Sequence, residues 1–309
     1  VRVVVALGGN ALSPGSGDGS VEQMRAALVE TAEALADLVA AGTSLVLTHG
    51  NGPQVGRLLL QQELAAGAVP PMPMDVCGAL SQGQLGYLVA QALDNALRRR
   101  TLSPRVLSLV TQVVVAGRDP AFRRPSKPVG PSYDKDVAGQ IAQASGHVFG
   151  VQSDGRWRRL VASPRPQRIV EEGPLRALVE SGHVVVAAGG GGVPVVEHRG
   201  QLRGVEAVID KDRTAALLAR TVGADVLLVL TEVERVQVGY RTPEARELTQ
   251  LTVAEANGWL AAGEFPDGSM GPKVEACVAF VESGGRAAIG ALSQAADVLA
   301  GRAGTAVVP

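Results

Sequence analysis

Three times in this chain a short run of aliphatic residues stops on a glycine-rich turn. Residues 2–7 read RVVVAL and end at Gly8, Gly9 and Asn10. Residues 44–48 read SLVLT and pass through His49 into Gly50, Asn51 and Gly52. Residues 183–188 read HVVVAA and meet the glycines of 189–192. Apolar runs this short and this continuous predict strands buried on both faces, as in parallel sheets covered by helices. Glycine at the carboxyl end of such a strand lets backbone N–H groups approach an anion, and the following helix adds a favourable dipole. A single such turn is explained as well by tight strand–helix packing. Three of them point to a ligand site along one edge of an open sheet.

Helix signals fall between these runs. Ser20 and Gln23 stand at capping-box spacing, Leu28, Leu35, Leu38 and Val39 follow a helical period, and Gly42 marks the stop. Pro53 suits the first turn of a helix running through residues 58–64. A further helix is expected over 81–99, after the proline-rich PPMPM segment, and a strand over 106–115. Residues 117–166 change character, with many Arg, Pro and polar residues, a short helix near 134–144 and a hairpin signal at Asp154-Gly155. They read as an excursion from the main sheet, a protruding lid. The alternation then resumes, with helices over 174–181 and from near Asp212 and Met270, and strands over 225–230, 287–291 and 305–308. The fold class expected is a three-layer α/β/α structure with a mainly parallel open sheet, two lobes and a lid subdomain at about 117–166. The lobes are expected at 1–212 and 213–309.

Composition narrows the class of partner. Twenty-nine basic residues against 30 acidic ones give a formal charge of −1, which offers no general attraction to nucleic acid or anionic lipid. Two cysteines cannot build a disulfide framework, no apolar run is long enough to span a bilayer, and the first residues read as a strand rather than a signal peptide. A cytoplasmic setting is expected.

The chain contains no Gly-Lys pair, so a Walker A loop is excluded. Gly50, Gly52 and Gly56 approximate a dinucleotide fingerprint, but Pro53 interrupts it, and Asp75, at about the right distance, lies in a proline-rich loop. The four histidines, His49, His147, His183 and His198, lie far apart, so no protein-ligated metal site is expected. His49 reads as a strand-end residue satisfied by backbone, Cys77 as part of a polar turn, and Arg98 to Arg100 as a solvated helix end.

The basic residues divide into 25 Arg and 4 Lys. Lys211 lies in the strand-like run VEAVIDKD between Asp210 and Asp212, Lys273 in GSMGPK where a helix begins, and Lys127 in RPSKPVG. Lys135, between Asp134 and Asp136, reads as an exposed cation. Where surface cations are nearly all Arg, lysines in Gly- and Pro-bracketed segments point to phosphate handling, because an ammonium is a compact charge able to follow a moving oxygen.

At these residues the chain resembles the carbamate kinases of the amino-acid-kinase fold family. The segments that carry the resemblance are ALGGNAL from Ala6, HGNGPQVG from His49, MDVCGALSQG from Met74, KPVGPSY from Lys127, GVEAVIDKD from Gly204, LTEV from Leu230 and GSMGPKVEA from Gly268. They occur in order and span nearly the whole chain. The resemblance implies a homodimer that interconverts ATP plus carbamate with ADP plus carbamoyl phosphate, usually toward ATP in arginine breakdown. It implies that lobe 1–212 takes carbamate or carbamoyl phosphate through Gly8, Gly9, Asn10, Gly50, Asn51 and Gly52, and that lobe 213–309 takes the nucleotide. Lys211 and Lys273 would flank the moving phosphoryl group, Asp212 would orient them, and Lys127 would reach in from the lid. Thr231, Glu232, Val233, Gly268, Ser269 and Met270 would line the nucleotide site. Mg²⁺ would be held mainly by nucleotide phosphates. The match weakens over 234–247, and Pro131 to Tyr133 depart from the family's pattern. Two other readings stand beside it, a binding module without turnover and a kinase for another small carboxylate or amino acid.

Overall fold

The computed structural model describes residues 1–12, 19–103, 105–240, 242–265 and 269–309, with Asn10 described by its backbone alone. Strand β1 (Arg2–Leu7) leads to helix α1 (Val21–Ala40), which returns the chain to β2 (Ser44–His49). Helices α2 (Gly52–Ala65) and α3 (Met74–Arg99) follow, then β3 (Val106–Ser108) and β4 (Gln112–Val115). Next come β5 (Lys127–Tyr133), α4 (Lys135–Ser145), β6 (Val148–Val151), β7 (Trp157–Val161) and β8 (Pro166–Ile169). Helix α5 (Glu172–Glu180) precedes β9 (Val184–Val186), β10 (Val193–His198) and β11 (Gln201–Gly204). Helix α6 (Lys211–Thr221) and β12 (Val226–Thr231) lead to the short strands β13 (Val236–Val238), β14 (Arg246–Leu248) and β15 (Gln250–Thr252). Helices α7 (Val253–Ala261) and α8 (Met270–Glu282), strand β16 (Arg286–Ala291), helix α9 (Ala295–Leu299) and strand β17 (Thr305–Val308) complete the described order.

The main sheet has eight strands in the order β15-β17-β16-β12-β1-β2-β9-β3, parallel except where β16 meets β17. Alternation along its central strands builds two cores. Val3, Val5 and Leu7 of β1 pack with α1, α3 and α9, whereas Val4 and Ala6 face α5, α6 and α8. This is the expected three-layer arrangement, and it explains why strands 2–7 and 44–48 read as unbroken apolar runs: both faces are covered.

Several local expectations hold for identifiable reasons. Ser20 Oγ accepts from Gln23 N at the start of α1, and Gly42 ends it with φ +83°. The Gln23 side chain reaches back one residue further than a capping box requires, accepting from Gly19 N. The Asp154-Gly155 turn joins β6 to β7, with Gly155 at φ +77°.

Others need correction. Helix α3 begins at Met74, not near 81, because Pro73 fits the position before the first turn and Asp75 complements the helix dipole. The DVCG segment is therefore helical, and Cys77 is fully buried within it rather than sitting in a polar turn. The strand expected over 106–115 is two strands in different sheets, with the chain crossing at Thr111. That residue is wholly buried, its N–H donates to Gln82 Oε1 and its hydroxyl accepts from Ala188 N, which satisfies the crossing. Arg98, Arg99 and Arg100 do more than cap α3: Arg98 pairs with Asp94, Arg99 with Glu33, and Arg100 with Glu33 and Asp37 of α1.

Residues 117–166 contain a separate three-stranded antiparallel sheet, β5-β7-β6, with α4 against it. Its base docks through Val129 and Val161 onto Val55, Leu59, Met74 and Cys77 of α2 and α3. Tyr133 Oη adds a bond, donating to Glu63 Oε2 at 3.0 Å. A four-stranded sheet, β11-β10-β4-β8, lies beside the main one. Helix α6 starts at Lys211, so a lobe division at 212/213 cuts its first turn.

Candidate active site

Because β1, β2, β9, β12 and β16 run parallel, their carboxyl ends open on one edge of the sheet. A cleft of about 670 Å³ lies there. Gly8 and Gly9 line it after β1, Gly50, Asn51 and Gly52 after β2, Gly190 after β9, and Thr231 with Glu232 at the end of β12. Lys127, Pro128 and Val129 of β5 also line the cleft, bringing the separate three-stranded sheet to the same opening.

Glycine is required where these turns meet one another. Gly191 has φ +93°, and a Cβ there would stand 2.2 Å from the Ile209 carbonyl oxygen. That close approach lets the turn after β9 press on the segment leading into α6. Thr214 of α6 then donates to the Gly191 carbonyl at 3.0 Å. Asn51 is fixed from its other side, its Nδ2 donating to Ser81 Oγ of α3 at 2.7 Å.

The lysines converge. Lys211 begins α6, Lys273 lies in the first turn of α8, and both donate to the one carboxylate of Asp212, at 2.5 Å to Oδ1 and 3.0 Å to Oδ2. Asp212 is buried, and the two lysine side chains are 14% and 13% exposed, so their charges are held in a setting that screens them little. Lys127 reaches in from β5 to Asp210 Oδ2 at 2.8 Å. Asp210 is itself the N-cap of α6, its Oδ1 accepting from Asp212 N and Arg213 N. Lys135 is exposed on α4, away from the cleft, as its sequence setting predicts.

Burial pushes the Lys211 ammonium below the ordinary lysine range; Asp212 opposes this, and Lys273 adds to it. Burial would raise the Asp210 carboxyl, but the Lys127 charge and hydrogen bond, with the Asp212 amide, together hold it low. Cations at helix amino termini run against the dipole, so these lysines stand at a cost to local stability. A bound anion removes that conflict. Helix ends, glycine amides and ammonium groups all present positive potential to one volume.

His49 behaves as its strand-end position predicts. It is buried, its Nδ1 lies 2.9 Å from the Gly50 carbonyl and therefore carries the proton it donates, and it does not line the cleft. Burial drives its pKa down to about 4. The folded pKa is depressed, so the unfolded chain binds the extra proton and stability falls as pH drops from ~6.5 toward that value. Between pH 7 and pH 5 the loss from this residue is about 2 kcal/mol. Urea midpoints of His49→Gln should fall less over that interval than those of the parent, and equal falls would remove His49 from the account.

Not every candidate residue reaches the cleft. Val233 is 41% exposed beyond β12, and Met270 packs against the core at the start of α8; neither lines the opening, whereas Ser269 does. Asn10 lies in the turn of residues 9–11, but its side chain is outside the described residues, as is all of Gly268. The strand-like run before Lys211 forms only an isolated bridge, Ala162 to Ala207. Sequence reasoning passed over Asp210 as a flanking charge. It also missed the wall made by Ala27, Glu30 and Thr31 of α1 with Ala291, Leu292 and Ser293. The α1 residues carry no local signal, since only tertiary packing brings a mid-helix face to the strand ends.

The chain is similar to known proteins over its whole length. The family model described as the amino acid kinase family matches residues 1–290. A carbamate kinase of Pyrococcus horikoshii is 45% identical over 100% of this chain and 99% of its own length. One from Halobacterium salinarum is 50% identical over 99% of this chain and 98% of its own length. A solved carbamate kinase of Giardia lamblia bound to AMP-PNP superposes with a TM-score of 0.93 at 38% identity, covering 99% of this chain and 98% of that one.

Proposed function

The chain belongs to the amino acid kinase family, and from that premise we propose that it moves a phosphoryl group reversibly between ATP and carbamate, giving ADP and carbamoyl phosphate. The observation that carries the reading is the meeting of Lys211 and Lys273 on Asp212, in a cleft walled by the glycine turns. Carbamate is already an oxyanion. Its oxygen attacks the γ-phosphorus, the bond to the β-phosphate oxygen breaks, and the electron pair leaves on ADP without any proton transfer. A step without proton transfer asks for no general base, and the two carboxylates nearest the lysines, Asp210 and Asp212, are engaged as ion-pair partners.

What the protein must supply is alignment and positive charge. In this reading the amides around Gly8, Gly9, Asn10, Gly50 and Gly52, with the Asn51 side chain, hold the carbamoyl phosphate. Thr231, Glu232 and Ser269 line the nucleotide side, and the two lysines stabilise charge spreading over the transferring oxygens. Asp210 and Asp212 are already engaged by lysines, and no group of three His, Cys, Asp or Glu gathers among the described residues. In this reading Mg²⁺ comes on the nucleotide phosphates and adds positive charge there.

ATP formation during arginine breakdown in the cytoplasm is the setting that suits this activity. No described helix is long and apolar enough to cross a membrane. A homodimer is supported by the exposed Val76, Leu80 and Tyr87 of α3, next to exposed Leu64, Val69 and Met72. Leu80→Asp should convert a dimer to monomers in light scattering, and a parent protein that is already monomeric would remove the dimer.

The deciding assay supplies ADP, Mg²⁺ and carbamoyl phosphate and measures ATP. Steady ATP formation is expected. Binding of both ligands with no ATP would favour a module without turnover, and activity on another carboxylate but not carbamate would favour a different acceptor.

A further inference from the structure

Lys127 and the lysine pair do not share a carboxylate. Asp212 spends both oxygens on Lys211 and Lys273, whereas Lys127 has Asp210 to itself. Asp210 divides its work between its two oxygens: Oδ1 accepts the Asp212 and Arg213 amides that open α6, and Oδ2 accepts Lys127 Nζ. An N-cap needs only the first of these, so capping alone leaves the second contact unexplained.

We propose that Asp210 is a positioning residue: its carboxylate fixes the ammonium of Lys127 above the cleft and registers it against the helix end that carries Lys211 and Asp212. The inference rests on the phosphoryl-transfer reading for its kinetic consequence.

Three observations carry it. Asp210 is only 6% exposed and held by two amides, so it is a rigid anchor, whereas the Lys127 side chain is 30% exposed on a flexible stem. An unanchored lysine loses rotamer freedom each time it is localised. The same segment also holds the base of the three-stranded sheet, since Val208 N donates to the Ala162 carbonyl at 2.9 Å and Ala162 bridges Ala207. Backbone and side chain thus tie β5 and β7 to one stretch, 207–210. Finally, within this cluster three ammonium groups face two carboxylates, so the lysines of the cluster outnumber its acids by one at the point where they meet.

Two variants separate positioning from capping. Asp210→Ser and Asp210→Asn both keep a good N-cap, and neither offers the anionic Oδ2. Each is expected to lower kcat/KM for carbamoyl phosphate by about 10-fold or more while leaving KM for ADP within about twofold. In a Lys127→Ala background, which is expected to lose more, either change should cost less than about twofold, because the residue it positions is gone. Additive losses in this cycle, or equal losses for both substrates, would overturn the proposal.

A second measurement does not depend on turnover. In ligand-free protein, amides of 127–133 should exchange hydrogen faster in Asp210→Ser than in the parent, while those of α6 stay protected. Unchanged exchange at 127–133 would also overturn the proposal. Parent protein that makes no ATP would remove the proposed function instead, and the exchange experiment would still judge Asp210.

Discussion

Replacing Lys273 by Ala is expected to lower kcat for ATP formation by ~10²–10³-fold, with Lys211→Ala close behind. The size follows from burial. Each ammonium is more than four-fifths covered, so its field acts on the transferring group with little screening by water. Ground-state binding of ADP should change far less, because an interaction that strengthens only as charge spreads over the phosphoryl oxygens appears in kcat. Stability should also separate the roles. Deleting either lysine relieves a cation at a helix amino terminus, so a large loss of rate should come without a matching loss of melting temperature. Lys273→Arg should not restore the rate. A guanidinium fills the volume as a planar fork and cannot place one compact charge on Asp212 and the phosphate together. Wild-type kcat in a folded Lys273→Ala variant would falsify the role.

The lysines were legible in the sequence for a reason that does not depend on tertiary packing. When 25 of 29 basic residues are Arg, a Lys that survives next to Gly, Pro or Asp stands out, and three such positions meet in the cleft. The turn after β9 was legible because backbone contact demands glycine there, as at Gly191. Gly9 and Gly52, after β1 and β2, have open space where a Cβ would stand and were legible only as strand-end glycines. The helical DVCG segment was hidden by the prolines before it and by Gly78 inside it, features that locally favour a turn and were overridden by packing of Cys77 and Met74 beneath β5. The break between β3 and β4 was hidden because both halves are apolar; only the pairing partners differ. Asp210 was hidden for a third reason. Between two other charges it looks like part of a solvated cluster, and its separate duties depend on how the first turn of α6 presents its amides.

Asp212→Asn is expected to cost ~10²-fold or more in kcat, because it acts on both lysines at once. The carboxylate accepts one bond from each ammonium, and an amide oxygen can accept without carrying the charge that offsets them. Two buried cations then face each other unneutralised. Burial already depresses Lys211, and the Lys273 charge depresses it further; Asp212 is the largest influence working the other way. Without that influence the Lys211 pKa falls again. A lysine serves the transfer only while charged, so the alkaline limb of the kcat profile should move to lower pH in Asp212→Asn. The same variant should melt earlier, since breaking one side of a buried ion pair strands its partners. Lys211→Ala added to Asp212→Asn should recover part of the lost melting temperature by removing one stranded cation, without recovering rate. Melting temperature therefore recovers without rate only if Asp212 acts through the charges of the lysines. A parent-like pH profile with an ordinary loss of rate would mean that it acts through shape alone.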